Sequence, residues 1–120
     1  HIEELDAQVN AYIKPCDQMG TRKSFAEVVF QTSRKPLIGL VKDDVMEGWG
    51  ALATIFPSHE SIGRQAGRMI KELFEGKKTG DILPEWPAKY GVAVDLGKAR
   101  LFGMDISVEL LQLAAENIVL

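Results

Sequence analysis

The stretch from Gly48 to Gly76, GWGALATIFPSHESIGRQAGRMIKELFEG, constrains this chain more than any other. Ala51 to Phe56 is a short apolar run rich in strand formers, of the kind a sheet buries. Pro57 stops it. Ser58 then offers an N-cap, and Glu60 puts a carboxylate in the first turn, where the helix dipole favours negative charge. Beyond the cap, Ile62, Ala66, Met69, Ile70, Leu73 and Phe74 recur at helical spacing on one stripe, with Arg64, Gln65, Arg68, Lys71, Glu72 and Glu75 on the wet side. Gly76 supplies the left-handed residue that ends such a helix. A strand feeding directly into a long amphipathic helix is the unit of an open α/β sheet.

The remaining segments extend that pattern. Residues 1–8, with Ile2 and Leu5 among acidic neighbours, read as the end of a helix or a lead-in to a short strand, Val9 to Ile13, closed by Lys14-Pro15. Ser24 and Glu27 form a capping box for a helix that turns Phe25, Val28 and Val29 toward the sheet. Leu37 to Val41 is a continuous apolar run suited to a parallel sheet covered on both faces. Tyr90 to Val94 is a further strand, after which Asp95 caps a short helix reaching Phe102. Ser107 caps the last helix, whose apolar face takes in Leu110, Leu111, Ala114, Ala115 and Ile118. The predicted order is β-α-β-β-α-β-α-α with right-handed crossovers. The fold class is α/β: a mainly parallel sheet sandwiched by helices.

Chain length and charge narrow the functional classes. One hundred and twenty residues hold one domain with a modest core. A net charge of −3 leaves no basic footprint, so nucleic acid is not expected as a partner. No apolar run is long enough to span a bilayer. The chain opens at His1 rather than Met, which reads as a fragment boundary. The single cysteine, Cys16, excludes an intrachain disulfide and a cysteine-based zinc cage. His1 and His59 are too far apart to assemble a nucleophile with a paired base, and no metal-ligand spacing occurs. Gly63 and Gly67 lie inside a helix, so they form no phosphate loop. Neither a cofactor nor a metal is expected, and the reading is of a protein that is not an enzyme.

Ligands of open α/β sheets sit outside the carboxyl ends of the strands. Two loops hold that place here. The first, Cys16 to Gly20, carries Asp17, which either lines a cleft or caps the following turn. The second, Lys42 to Gly50, is acidic, ends in two glycines and presents Met46 and Trp49. An aromatic wall beside a carboxylate suits an amino-acid ligand. The alternative is that Asp43, Asp44 and Glu47 form a solvated turn while Trp49 packs between layers. His59, in the first turn of the long helix, either meets an anion or is an ordinary surface residue. Lys77 to Pro87 is the only linker-like stretch, and Trp86, between two prolines, is expected to anchor beneath an ordered loop.

Five pieces of the sequence together carry a resemblance: Gly48-x-Gly-Ala-Leu-Ala53, Ser61-Ile-Gly-Arg-Gln-Ala-Gly67 with Phe74-Glu-Gly-Lys77, Leu83-Pro84, Val92-Ala-Val-Asp-Leu-Gly-Lys-Ala99, and Phe102-Gly-Met104 followed by Val108-Glu-Leu-Leu111. In this order and spacing they resemble the substrate-binding proteins of bacterial ABC importers, in particular the aromatic amino-acid (tryptophan-type) group. That family is two-lobed, more than twice this length, and holds its ligand between lobes joined by three crossings. The resemblance implies that this chain is the C-terminal portion: residues 1–47 in the second lobe, 48–83 a strand–helix unit of the first, and 84–120 back in the second. Two crossings would fall near Gly48–Ala51 and Pro84–Ala88. It further implies extracytoplasmic capture of a small solute, an apolar or aromatic amino acid, for delivery to an ABC permease. The protein would be periplasmic or held at the membrane by a lipid anchor or the permease. Asp17 and Asp44 would hold the ligand ammonium, and Met46 and Trp49 would line the side-chain pocket. The family usually has Asn where this chain has Asp95. A ligand-sensing module of a signalling receptor with the same architecture is the alternative. A response-regulator receiver fits poorly, because Lys35-Pro36 precedes a strand and the magnesium-binding acidic pair has no counterpart. With one lobe lacking, apolar surface should be exposed, and a homodimer of the chain is expected.

Overall fold

The computed structural model describes residues 1–15 and 17–120; Cys16, in the loop expected after the first strand, lies outside the described residues. The chain forms two compact units, one of His1–Phe56 with Gly91–Leu120 and one of Pro57–Tyr90.

The first unit is a five-stranded sheet with its helices. Its strands β1 (Tyr12–Ile13), β2 (Leu37–Gly39), β3 (Ala53–Pro57), β4 (Tyr90–Asp95) and β5 (Ile118–Val119) lie in sequence order across the sheet. Tyr12 pairs with Leu37, Ile38 with Ala53, and Val94 with Ile118, each in a parallel ladder. The helices are α1 (Ile2–Asp6), α2 (Lys23–Thr32), α3 (Asp43–Met46), α5 (Leu96–Leu101) and α6 (Val108–Ala114); α4 (His59–Phe74) belongs to the second unit. The mainly parallel α/β architecture expected from the apolar runs is the one observed.

The core is built from small and branched side chains. Ala26 and Val29 of α2, Leu37 of β2, Val45 of α3, Ala51 and Ala93 are buried, with Tyr12, Phe25, Met46, Trp49, Phe56 and Val119 packed against them. Close backbone approach replaces bulk at Gly91, where a Cβ would come within 2.5 Å of the Phe56 ring. The Asp6 carboxylate fastens α1 to the turn before β2. It accepts from the Tyr12 hydroxyl at 2.8 Å, the Ser33 hydroxyl at 2.7 Å and the Arg34 amide at 2.6 Å.

Several local expectations are corrected. The Ser24–Glu27 capping box does not form: α2 begins at Lys23 behind Arg22, which places Ser24 inside the first turn, beyond reach of a cap. The helix accordingly buries Ala26 and Val29 and leaves Val28 exposed. Strand β2 stops at Gly39 because the Leu40 and Val41 amides turn onto Asp44, and the expected loop contains the short helix α3. At the end of the chain, Ile118 lies on a strand and not on a helical face. Ala115, at φ +49, breaks the helix, and the Asn117 amide returns to the Ala114 carbonyl at 2.9 Å before β5 begins.

In the second unit, the Ser58 side chain caps α4 by accepting from the Ser61 amide at 3.2 Å, and Gly76 follows the helix at φ +94, as read from the sequence. A 3-10 turn at Thr79–Asp81 leads into residues 82–89. This segment is held to α4 by Gln65. Its amide donates to Glu85 at 3.1 Å and to the Trp86 carbonyl at 3.0 Å, and accepts from the Ala88 amide at 2.9 Å. Arg68 pairs with both Glu72 and Glu85, and Arg68, foremost, with Gln65 holds the Glu85 carboxyl below its ordinary range. Trp86 does not anchor the segment: it is 87% exposed, and the polar fork of Gln65 takes the anchoring role. None of the residues of α4, all of them described, is buried.

The units divide at Phe56–Pro57 and Tyr90–Gly91. Ala53 and Thr54 pair with β2, and the Asp95 amide donates to the Leu52 carbonyl, so these residues stay with the sheet.

Candidate functional site

The carboxyl ends of β1 and β2 bring together Lys14, Asp44 and Trp49. Lys14 continues the β1 ladder by one step, its amide donating to the Ile38 carbonyl at 2.9 Å. The two-residue period of a strand sets it on the same side as Tyr12, which packs against the core. Its side chain is 1% exposed, and its ammonium pairs with the fully buried Asp44 carboxylate. The other Asp44 oxygen accepts from the Leu40 amide at 3.0 Å and the Val41 amide at 3.2 Å. The Lys14 ammonium also lies 5.3 Å from the centroid of the Trp49 ring. A buried ion pair holds together only when its remaining hydrogen-bonding capacity is met, and here the carboxylate is met from three sides.

The four residues singled out from the sequence are thus placed differently from one another. Asp44 lies inside, engaged by Lys14 and two amides, so its carboxylate faces the protein. Met46 and Trp49 are partly buried against the core, each retaining some exposed surface. Asp17 is exposed. Its carboxylate accepts from the Met19 amide at 3.0 Å and the Gly20 amide at 2.6 Å, capping its own loop through one oxygen. Asp43 and Glu47, flanking Asp44, are exposed. The arrangement can present an indole and a thioether as an apolar wall, with carboxylates of Asp17, Asp43 and Glu47 at the solvent side of these loops.

Lys14 was missed because a lysine before a proline reads as the end of a strand. The signal that could have found it is the alternation Tyr12–Lys14, which aims both side chains inward, and this becomes meaningful only when Asp44, thirty positions on, is known to face it.

A second ion pair closes the carboxyl end of β4. Asp95, 6% exposed, caps α5 as expected by accepting from the Lys98 amide at 2.8 Å, and also pairs with the Lys98 ammonium. That ammonium lies 5.5 Å from the Phe30 ring centroid. Phe30 in turn packs beside Gly50, next to Trp49. Among the described residues, no group of three or more His, Cys, Asp and Glu side chains could hold a metal ion, and no helix is long and apolar enough to cross a membrane.

A recess of about 810 Å³ lies elsewhere. It is lined by Glu3, Asp6, Gln31, Ser33, Arg34 and Lys35, at the amino ends of β1 and β2. The Asp6 carboxylate within it is already engaged by three internal donors. The carboxyl ends are the stronger candidate, because that is where parallel sheets offer free loops to ligands.

No protein-family model matches the chain, and no curated protein matches it. Solved structures do. An ABC domain from Streptococcus pneumonia in complex with L-Trp superposes with a TM-score of 0.75 over 99% of this chain at 21% identity. A conserved domain protein from Vibrio cholerae gives 0.73 over 99% at 18% identity. A ligand-free, open substrate-binding protein with adhesive properties from Clostridium difficile gives 0.64 over 98% at 19% identity. The chain spans 39%, 39% and 38% of the length of these three proteins. At these identities the likeness establishes the fold alone, a mainly parallel α/β sheet flanked by helices.

Proposed function

We propose that this chain is part of a solute-binding component of an ABC transport system, which captures a small ligand, an apolar or aromatic amino acid, between two lobes and delivers it to a membrane permease. The observation that carries this reading is the superposition of almost the whole chain on a domain whose structure holds L-Trp. In this reading the first unit belongs to the second lobe, and Pro57–Tyr90 reaches into the first, which the rest of a longer polypeptide completes. The protein works outside the cytoplasm, held near the membrane by a lipid anchor or by the permease. Its role is binding and lobe closure, without bond chemistry.

The site residues have distinct parts. Asp17, whose second carboxylate oxygen accepts no hydrogen bond among the described residues, meets the ligand ammonium. Trp49 and Met46 form the wall for the ligand side chain. Asp44 contributes by holding Lys14 and the amides of Leu40 and Val41, and so shapes the loop that carries both wall residues.

A thermal-shift screen of the twenty amino acids on the full-length protein tests the proposal. A ligand at about a hundred times its dissociation constant stabilises by roughly 2.7 kcal/mol, a shift of several degrees. The expected result is a shift confined to apolar and aromatic amino acids and lost in Asp17→Ala. No shift with any amino acid would overturn the ligand class while leaving the fold untouched.

A further inference from the structure

Lys14 has no part in the ligand contacts proposed above, yet it touches both elements that supply them. Its ammonium is buried, and its hydrogen-bond partner among the described residues is the Asp44 carboxylate. That carboxylate fixes the Leu40 and Val41 amides, where β2 ends and the chain turns into α3, the helix bearing Met46. The same ammonium stands over one face of the Trp49 ring. One buried cation therefore ties the end of β1 to the start of α3 and to the indole beyond it. A cation over an indole face in a desolvated setting is held firmly in orientation as well as in place.

We infer that Lys14 is the positioning residue of the ligand site. It holds the Trp49 indole in one orientation and fills one of its faces. The part of the indole that stays exposed is then the wall for an uncharged, planar or branched ligand side chain. A cationic ligand group is denied the face that would attract it, because Lys14 already occupies it. The preference of the site for uncharged side chains is thus set by a residue that does not touch the ligand. The ligand part of this inference rests on the binding reading proposed above; the control of the indole by Lys14 does not.

The test separates the two. The full-length protein is labelled with 5-fluorotryptophan, and the fluorine resonance of Trp49 is assigned by its disappearance in Trp49→Phe. Affinities for L-tryptophan, L-leucine and L-arginine are measured by calorimetry on the unlabelled protein. The wild type should give one sharp Trp49 line and prefer the two uncharged ligands. In Lys14→Met the line should broaden or split, and affinity for tryptophan and leucine should fall roughly tenfold, the order of a well-made aromatic contact. Discrimination against arginine should narrow. Lys14→Arg, which restores a cation over the ring, should recover the single line and the discrimination. If Lys14→Met leaves Asp44 uncompensated and fails to fold, Lys14→Met with Asp44→Asn removes that charge while keeping an acceptor for the Leu40 and Val41 amides. A single sharp line with unchanged affinities in either variant would overturn the inference. Wild-type protein that binds none of the three ligands would overturn the binding reading, and the line shape would still decide whether Lys14 positions the indole.

Discussion

Gly50 lies at φ +112, and a Cβ added there would stand 2.9 Å from Phe30 Cβ and 3.0 Å from the Ala26 carbonyl oxygen. Both the backbone conformation and the space demand glycine. Gly50→Ala should therefore destabilise the first unit by about 1–3 kcal/mol, the range for a strained backbone residue or an overpacked core, read as a lower denaturant midpoint. Because Gly50 follows Trp49 directly, the variant should also weaken ligand binding more than an equally destabilising change in α6. Equal stability of Gly50→Ala and the wild type would show that neither the positive φ nor the approach of Phe30 and Ala26 demands glycine there. Asp6 gives a second prediction at this scale. The Arg34 amide, foremost, with the Ser33 and Tyr12 hydroxyls holds its carboxyl below the ordinary value of 3.8, while burial opposes them. A depressed carboxyl contributes stability above its unfolded pKa and loses it as pH falls through the folded one. Asp6→Asn should thus lower the denaturant midpoint near neutral pH, and the difference from wild type should shrink below about pH 4. A difference independent of pH would assign the effect to lost packing instead. Residues whose partners lie within three or four positions were legible from sequence: Ser58 and Asp95 cap the helices they precede. Asp6 and Lys14 were not, since Asp6 meets Ser33 and Lys14 meets Asp44 only through the fold.

Helix α4 was legible because its signals agree over sixteen residues, from a capping serine to a left-handed glycine. The C-terminal strand was not, because β5 is two residues long and follows a break at Ala115, a residue with no sequence signature for positive φ. A two-residue strand has no period to detect. The Ser24 capping box shows the opposite failure: the motif is present, but the helix starts two residues too early to use it. For α4 the consequences of its cap can be measured directly. With none of its described residues buried, its last turns and its cap rest on local interactions more than a packed helix would. Ser58→Ala should cost about 1 kcal/mol, and hydrogen exchange of the α4 amides should quicken roughly fivefold. Ser58→Asp, which keeps an acceptor for the Ser61 amide, should leave the exchange slow. Exchange unchanged in Ser58→Ala would mean that the helix is held by something other than its N-terminus.

The stripe on α4 decides how the whole molecule behaves in solution. Ile62, Ile70, Leu73 and Phe74 are exposed, Phe74 to 89%, and Leu83 and Trp86 are exposed in the same unit to 75% and 87%. The opposite side of the helix is well supplied with polar partners. Glu60 pairs with Arg64, Arg68 with Glu72 and Lys71 with Glu75, each one turn apart. Such exposed pairs add little stability individually, but they keep that side wet. The apolar side has the spacing of a face made to be covered, and each large side chain on it gains on the order of 2 kcal/mol when water is removed. The 120-residue chain is therefore expected to self-associate, with light scattering reporting a dimer or larger species at high concentration. Phe74→Glu should shift it toward monomer without changing its helix content, because Phe74 makes no buried contact in the monomer to lose. In a longer polypeptide whose first lobe covers α4, the same substitution should act in the opposite way, leaving a monomer and lowering its stability by a few kcal/mol, as the loss of a buried aromatic does. A clean monomer of the 120-residue chain at high concentration would show that the stripe needs no cover, and would remove the reason for expecting a first lobe to cover α4.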